Sequence, residues 1–318
     1  MDALDHRLLD EFQRDLPLVT RPYAALGVHL GISERQVIDR LARLIALGKV
    51  ARVGATVRPN TAGASTLAAL AVPEDRLEEV AALVGAEPGV NHSYQREDDW
   101  NLWFVATAPG PAALAACLSR IETATGLPVL DLPLRRAFNI DLGFRLTGAP
   151  QPMHADQGAA ALTLSDRDRA LLHGLSQGLP LLPHPFAAFG PEEAVLDRIA
   201  TLTRARIITR LGVIVRHRAL GYTANAMVVW DIAPDRVEAA GLALAAHPGV
   251  TLCYQRETVP GVWPFALYSM IHATSRPAAL QVLAAAQALP ELQGAVARPL
   301  FSTRCFKQTG ARIVEVAA

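Results

Sequence analysis

A nine-residue stretch dense in imidazole, phenol and guanidinium groups occurs twice, as Gly89-Val-Asn-His-Ser-Tyr-Gln-Arg-Glu97 and as Gly249-Val-Thr-Leu-Cys-Tyr-Gln-Arg-Glu257. Strand alternation sets Val90, His92, Tyr94 and Arg96 on one face, and Val250, Leu252, Tyr254 and Arg256 on the matching face of the second copy. An imidazole exchanges a proton near neutral pH, a phenol orients its neighbours, and a guanidinium grips an anion through a planar fork. A basic strand face of this kind needs a partner. A solvated sheet face explains one copy equally well, but recurrence after 160 residues (249 minus 89) weighs against that reading. Cys253 alternates to the face opposite Tyr254 and Arg256.

The elements that position these strands are legible along the chain. Ser33 and Gln36 have the form of a capping box, and Val37, Ile38, Leu41, Leu44 and Ile45 follow at helical spacing until Gly48, which predicts a helix over 33–47. A short helix from Pro22 to Leu30 precedes it, and Val50–Val57 alternates as a two-stranded wing would, so the opening segment reads as a winged helix-turn-helix. The second half repeats it. Val37-Ile-Asp-Arg-Leu41 matches Val195-Leu-Asp-Arg-Ile199 at a shift of 158 (195 minus 37), and the same shift pairs Arg52, Gly54, Arg58 and Gly63 with Arg210, Gly212, Arg216 and Gly221.

After each wing the pattern runs strand, helix, strand, strand, helix, strand, the ferredoxin-like split βαβ plan. The first-half strands fall near 66–72, 90–96, 101–108 and 129–135, with helices near 75–84 and 111–125. The second-half strands fall near 222–231, 250–256, 265–273 and 294–301, with helices near 234–246 and 276–288. The expected class is therefore α+β, with winged helix-turn-helix segments at 1–63 and 164–221, ferredoxin-like domains at 64–146 and 222–318, and a Pro-, Gly- and Ala-rich linker at 147–163. Each half ends on a similar tail, Arg136-Ala-Phe-Asn139 and Arg304-Cys-Phe-Lys307, which adds Arg136 and Arg304 to the candidate arginines.

Composition narrows the partners. The 318 residues carry 30 basic and 30 acidic side chains, so no global field draws nucleic acid or an anionic membrane. No apolar run is long enough to span a bilayer, and the polar start is unlike a secretory signal, so a cytoplasmic protein is expected. Cys117, Cys253 and Cys305 are widely spaced, which argues against a disulfide framework or a structural zinc site and fits reduced thiols.

A winged helix followed by a ferredoxin-like domain resembles the AsnC/Lrp family of transcriptional regulators, over nearly the whole chain and twice. The inner motifs narrow the resemblance. His92-x-Tyr-x-Arg-Glu97 running into Trp100-Asn-Leu-Trp-Phe104, together with Cys253-Tyr-x-Arg256 running into Trp263-Pro-Phe265 and Met270-Ile-His272, is similar to the two subunit types of siroheme decarboxylase, here joined in one chain as in the fused enzymes of that family. The resemblance implies loss of acetate carboxyl groups (those at C12 and C18) from siroheme, giving didecarboxysiroheme on the route to d-type heme. It implies an iron tetrapyrrole as substrate, no cofactor beyond the iron that substrate carries, no resident metal of the protein's own although a histidine could ligate the substrate's iron, and two halves forming a pseudo-dimer, with a further oligomer or a related decarboxylase as partner. Asp98 and Leu252 stand where the family often has histidine, which puts chemistry in the second half in question.

On this reading the catalytic candidates are His92, Tyr94, Arg96 and His272. The substrate-binding candidates are Arg136, Tyr254, Arg256, Arg304, Trp100 and Trp263, the two tryptophans as an aromatic wall against the macrocycle. A carboxylate-rich ring calls for arginines, and a pyrrole acetate that loses its carboxyl group spreads the remaining charge into the macrocycle, so the protein need supply only a proton and a setting that disfavours the carboxylate. The competing reading is a regulator that binds DNA and a small effector. Arg35, Arg40 and Arg43 on the 33–47 helix favour it, whereas Glu192 and Glu193 at the start of the matching helix would repel phosphate, and no specific DNA binding is expected.

Overall fold

A computed structural model describes residues 1–140 and 158–314. In the first half the elements are α1 (Ala3–Glu11), α2 (Pro22–Leu30), α3 (Glu34–Ala46), β1 (Val50–Val57), β2 (Ala64–Leu70), α4 (Leu77–Ala86), β3 (Val90–Arg96), β4 (Leu102–Ala108), α5 (Pro111–Thr125) and β5 (Leu130–Asn139). The second half has α6 (Asp166–Gln177), α7 (Glu192–Arg204), β6 (Ile208–Val215), β7 (Ala224–Asp231), α8 (Val237–Ala246), β8 (Val250–Arg256), β9 (Leu267–Ala273), α9 (Arg276–Gln287) and β10 (Val296–Gln308). Most of the expected linker, 147–157, lies outside the described residues, and 158–163 form neither helix nor strand.

The described chain divides into two compact units, and each takes its elements from both halves of the sequence. The first contains both helix-turn-helix segments. Ser33 and Gln36 do form the capping box that starts α3, and Val37, Leu41 and Leu44 are its buried stripe. The wings depart from expectation. Val50–Val57 does not fold back on itself; it stays one strand, β1, antiparallel to β6 of the other half, with Gly54 directly opposite Gly212. Those two glycines are where chain from the opposite half comes closest: a Cβ on Gly54 would meet the Leu175 carbonyl at the end of α6, and one on Gly212 would overlap the backbone of Phe12 and Gln13 after α1. Leu179 N–H donates to the Val53 carbonyl (2.7 Å) and Val213 N–H to the Phe12 carbonyl (2.8 Å), so the two halves interleave.

Buried carboxylates lock the first helix of each half. Asp5 accepts from Arg40 and Arg43 on α3, and Asp168 accepts from Arg198 on α7 at 2.5 and 2.7 Å. The Arg198 hydrogen bonds, opposed by desolvation, pull the Asp168 carboxyl down to about 2. Because the folded value lies below that of the unfolded chain, this stability is present above roughly pH 4 and is lost as pH falls toward about 2. Arg198→Met is therefore expected to move the acid-unfolding midpoint to higher pH, at a cost on the order of 2 kcal/mol at neutral pH. Acid titration followed by circular dichroism checks this, and an unmoved midpoint would contradict it.

The second unit is a closed eight-stranded barrel in the order β10-β3-β4-β2-β5-β8-β9-β7. Within it, β3-β4-β2-β5 is the ferredoxin-like sheet of the first half. The Met227–Trp230 stretch of β7 is apolar on both faces because both are covered. Val228 and Trp230 of β7 pack under α8 and α9, whereas Met227 and Val229 face the barrel interior with Trp103, Trp263, Tyr268 and Leu300. Two strands outrun their expected ends. β5 continues to Asn139 and β10 to Gln308, because each leaves its own sheet to pair with β8 or β3 of the other half. Each tail also carries a phenylalanine onto the other half's helix: the Phe138 ring occupies the space beside Gly241 of α8, where a Cβ would meet it, and Phe306 packs against the α4–α5 core.

Candidate active site

The repeated motif lies on β3 and β8, and a register irregularity at the start of each strand decides what it presents. Between Val90 and His92 the pairing with β4 slips by one residue, so Val90 turns under the helices while His92, Tyr94 and Arg96 face the interior, Tyr94 opposite Trp103. Three of the four residues expected on one face stay together. β8 repeats the slip at Thr251, which sends Val250 to the helix side and Leu252, Tyr254 and Arg256 inward. Cys253 points away from them, its thiol donating to the Gly241 carbonyl, and burial pushes its pKa up.

His92 Nδ1 lies 3.2 Å from the Tyr94 hydroxyl, and the Arg96 guanidinium sits 5.6 Å from the centre of the Tyr94 ring. Arg96 Nη1 donates to the Leu300 carbonyl of β10 at 3.0 Å. Arg256 repeats the arrangement, 5.4 Å from Tyr254 and donating to the Leu132 carbonyl of β5 at 2.9 Å. Burial lowers the Arg256 pKa, but an arginine stays charged.

Each arginine begins a row of inward side chains that crosses into the other half. Arg96 stands opposite Ser302, which follows the Phe301–Ala226 pair by one residue and so comes level with Asn225, and Asn225 stands opposite His272. The Asn225 amide donates to His272 Nε2 at 2.8 Å, and His272 Nδ1 lies 2.8 Å from Thr251 Oγ1, whose hydroxyl donates to the Met270 carbonyl at 3.1 Å. With Nε2 accepting, Nδ1–H donates to Thr251, which is the neutral imidazole. Burial, aided by the Arg96 charge, holds the His272 pKa at about 4. The duplicate row begins at Arg256, opposite Leu134. It continues through Ser65 to Thr107, which accepts from the Asn91 amide at 3.4 Å, and His92, opposite Val105, is the nearest inward neighbour of Thr107 on β3.

The other expected site residues are not gathered with these. Arg136 pairs with Glu238 of α8 and lies over Phe138; Arg304 pairs with Glu78 of α4 and lies over Phe306. Both are half-exposed on the helix side, because the strand tails that carry them cross onto the opposite half's helices. Trp263 is 1% exposed, with Trp103 at 5.3 Å and Phe265 at 4.9 Å against its ring and its indole N–H donating to the Tyr268 hydroxyl, so it is packed into the aromatic core of the barrel. Trp100 is partly exposed at the edge of the same core, its carbonyl accepting from the Trp103 indole. Asp98 is held by Arg298 and the Trp100 N–H, a structural use of that position. Sequence reasoning missed Ser65, Asn91, Thr107, Asn225, Thr251 and Ser302, which are chemically plain. Aligning the repeats places Thr107 against His272, and that was the available signal.

Comparison with known proteins decides between regulator and enzyme. A model of the AsnC-like ligand binding domain matches residues 62–139 and 219–307, and a model of the siroheme decarboxylase NirDL-like HTH domain matches residues 5–50. The siroheme decarboxylase NirDL subunit of Paracoccus denitrificans is 63% identical over all of this chain and 99% of its own. This chain belongs to the siroheme decarboxylases. The siroheme decarboxylase NirD subunit of Pseudomonas aeruginosa is 51% identical over 46% of the chain and 97% of its own length, the ratio that the duplication predicts. The crystal structure of the siroheme decarboxylase NirDL superposes with a TM-score of 0.68 at 26% identity, over 97% of this chain and 93% of that one. In this siroheme decarboxylase the two AsnC-like matches coincide with the two strand sets of the barrel.

Proposed function

We propose that this chain removes carboxyl groups from acetate side chains of siroheme, at C12 and C18, and releases didecarboxysiroheme for d-type heme formation. Full-length identity of 63% to the Paracoccus enzyme carries this reading. The site supports it: two arginines and an imidazole–phenol pair on inward strand faces suit an anionic ring that needs an anchor and a proton. In each step the bond between the acetate methylene and its carboxyl carbon breaks. CO₂ leaves, the electron pair spreads into the macrocycle, and a proton completes a methyl group. His92 supplies that proton, Tyr94 holds the imidazole, and the arginines bind carboxylates. The iron belongs to the substrate, and the reading needs no further cofactor.

Anaerobic incubation of the purified chain with siroheme, followed by mass spectrometry, tests it: successive loss of two CO₂ is expected, and unchanged siroheme would overturn it. The Pseudomonas relatives are named as NirD and NirG subunits, so the incubation is run with and without such a related subunit as partner. A cytoplasmic setting fits the free cysteines, and among the described residues no helix is long and apolar enough to cross a membrane.

DNA binding does not fit the first unit. Arg40 and Arg43 are tied to Asp2 and Asp5, Arg35 is paired with Asp39, and the strand that would form each wing is used up in the β1–β6 pair. No sequence-selective gel shift is expected at submicromolar protein and moderate salt. A salt-sensitive, sequence-selective complex would restore the regulator reading.

A further inference from the structure

We infer that the departing carboxylate of siroheme is seated between β3 and β10, with Gln308 as a further substrate-binding residue beside His92, while the arginines hold the carboxylates that stay. This deepens the decarboxylase reading above and rests on it.

The register places the residues. The β10 tail runs antiparallel to β3 with Ser302 opposite Arg96, Cys305 opposite Tyr94 and Gln308 opposite His92. Directly opposed residues of an antiparallel pair share a face, so Cys305 and Gln308 join the inward face that holds Tyr94 and His92. The other face of the tail is taken up by the helices. Arg304 pairs with Glu78 of α4, Phe306 packs in the α4–α5 core, and Lys307 Nζ donates to the Gly85 and Glu87 carbonyls at 2.6 and 3.3 Å. Thr309 N–H then donates to the Asn91 carbonyl at 2.8 Å, so the chain is pinned on both sides of Gln308.

The duplicate end shows that this polarity does not come with the strand tail as such. On β5, Ala137 stands opposite Tyr254, and Ile140 follows the Asn139–Cys253 pair by one residue and so comes level with Leu252. Related positions therefore read His92 with Gln308 and Tyr94 with Cys305 at one end, Leu252 with Ile140 and Tyr254 with Ala137 at the other. Gln308 and Ile140 are both half-buried, so exposure does not set the difference. The residue faced does: an amide accompanies the imidazole, and a hydrocarbon accompanies the hydrocarbon.

The reaction selects which carboxylate suits this seat. The acetate that reacts loses its charge, because its carboxyl carbon leaves as CO₂ and the electron pair of the broken bond passes to the macrocycle before His92 protonates the methylene. A group that grips the carboxylate more tightly than the transition state slows the step, and a guanidinium is such a group. An amide N–H orients the carboxylate with less of that penalty. The positions paired with His92 and Tyr94 hold an amide and a thiol and no guanidinium; Arg96 belongs to the next pair, with Ser302, where a fixed charge favours a carboxylate that stays.

The test combines spectroscopic titration of siroheme with single-turnover decarboxylation, on wild type, Gln308→Ile and Gln308→Arg. Gln308→Ile installs the side chain of the duplicate end and should slow the step roughly five- to tenfold at a near-normal melting temperature, the scale of one lost hydrogen bond. Gln308→Arg should bind siroheme roughly tenfold more tightly and convert it more slowly by about the same factor, because the added charge favours the carboxylate and not CO₂. A merely structural role would not move affinity and rate in opposite directions. Cys305 supplies a readout apart from turnover. It is exposed whereas Cys117 and Cys253 are buried, so a maleimide should label it selectively. Siroheme at about ten times its dissociation constant should slow that labelling roughly tenfold. Tighter binding by Gln308→Arg at an unchanged or faster rate, identical behaviour of all three proteins, or labelling indifferent to bound siroheme would overturn the seat and leave the decarboxylase reading intact. Siroheme left unconverted by wild type would instead remove the reading beneath it.

Discussion

His92→Ala is expected to leave siroheme bound with a near-normal absorption spectrum while single-turnover decarboxylation falls by roughly two orders of magnitude or more, the usual scale for a lost general acid. The reason lies in what the side chain touches. His92 is bonded to the Tyr94 hydroxyl, on an inward strand face, and it is an arginine and not the imidazole that carries fixed charge toward an anionic ring. Removing it therefore takes away a proton and little binding. Tyr94→Phe keeps the ring beside the arginine and loses only the hydroxyl that orients the imidazole, so its loss should be intermediate. Arg256→Ala should weaken binding and rate together. Full-rate conversion by His92→Ala in the single-turnover assay would remove this residue from the mechanism.

Gly212→Val should lower the melting temperature of the first unit by roughly 5–10 °C, through an overpacking cost of about 1–3 kcal/mol. A Cβ at this position would overlap backbone atoms of Phe12 and Gln13, and those atoms cannot swing aside as a side-chain tip would, because Phe12 accepts from Val213 and Asp15 bridges to Leu211. Gly85→Ala on α4 is the control. Nothing lies within 4 Å of its Cβ direction, so helix propensity alone should leave it neutral or stabilised by up to about 1 kcal/mol. Equal melting shifts for the two variants in scanning calorimetry would contradict the packing account.

Local signals were readable wherever they were local. The Ser33 capping box, the α3 stripe and the strand–helix–strand order needed only neighbours in sequence, and the motif alternation correctly put His92, Tyr94 and Arg96 together. What escaped were contacts between halves. Nothing near Arg136 or Arg304 announces that β5 and β10 run on to pair with β8 and β3, and without that pairing the tails look like free arginines near a site. The one-residue slips at Asn91 and Thr251 are likewise products of the partner strand, so the turn of Val90 away from the motif face could not be read from alternation. Trp263 illustrates the limit of residue type: aromatic character does not say whether a ring is covered on both faces.

The exchange of strand tails, β5 onto β8 and β10 onto β3, has a consequence for what the two halves are free to become. As separate subunits, each half would offer the same edges to a second copy of itself, and mixtures would include barrels with two leucines at the 252 position or two histidines at the 92 position. Covalent joining replaces that competition with a fixed local concentration of the complementary edge. Every barrel formed is then mixed, with one member of each kind, whatever the amount of protein made. Substitutions that would be ruinous in a self-pairing subunit become harmless in one half, which is how a chain with a duplicated scaffold can keep unlike residues at its two related ends.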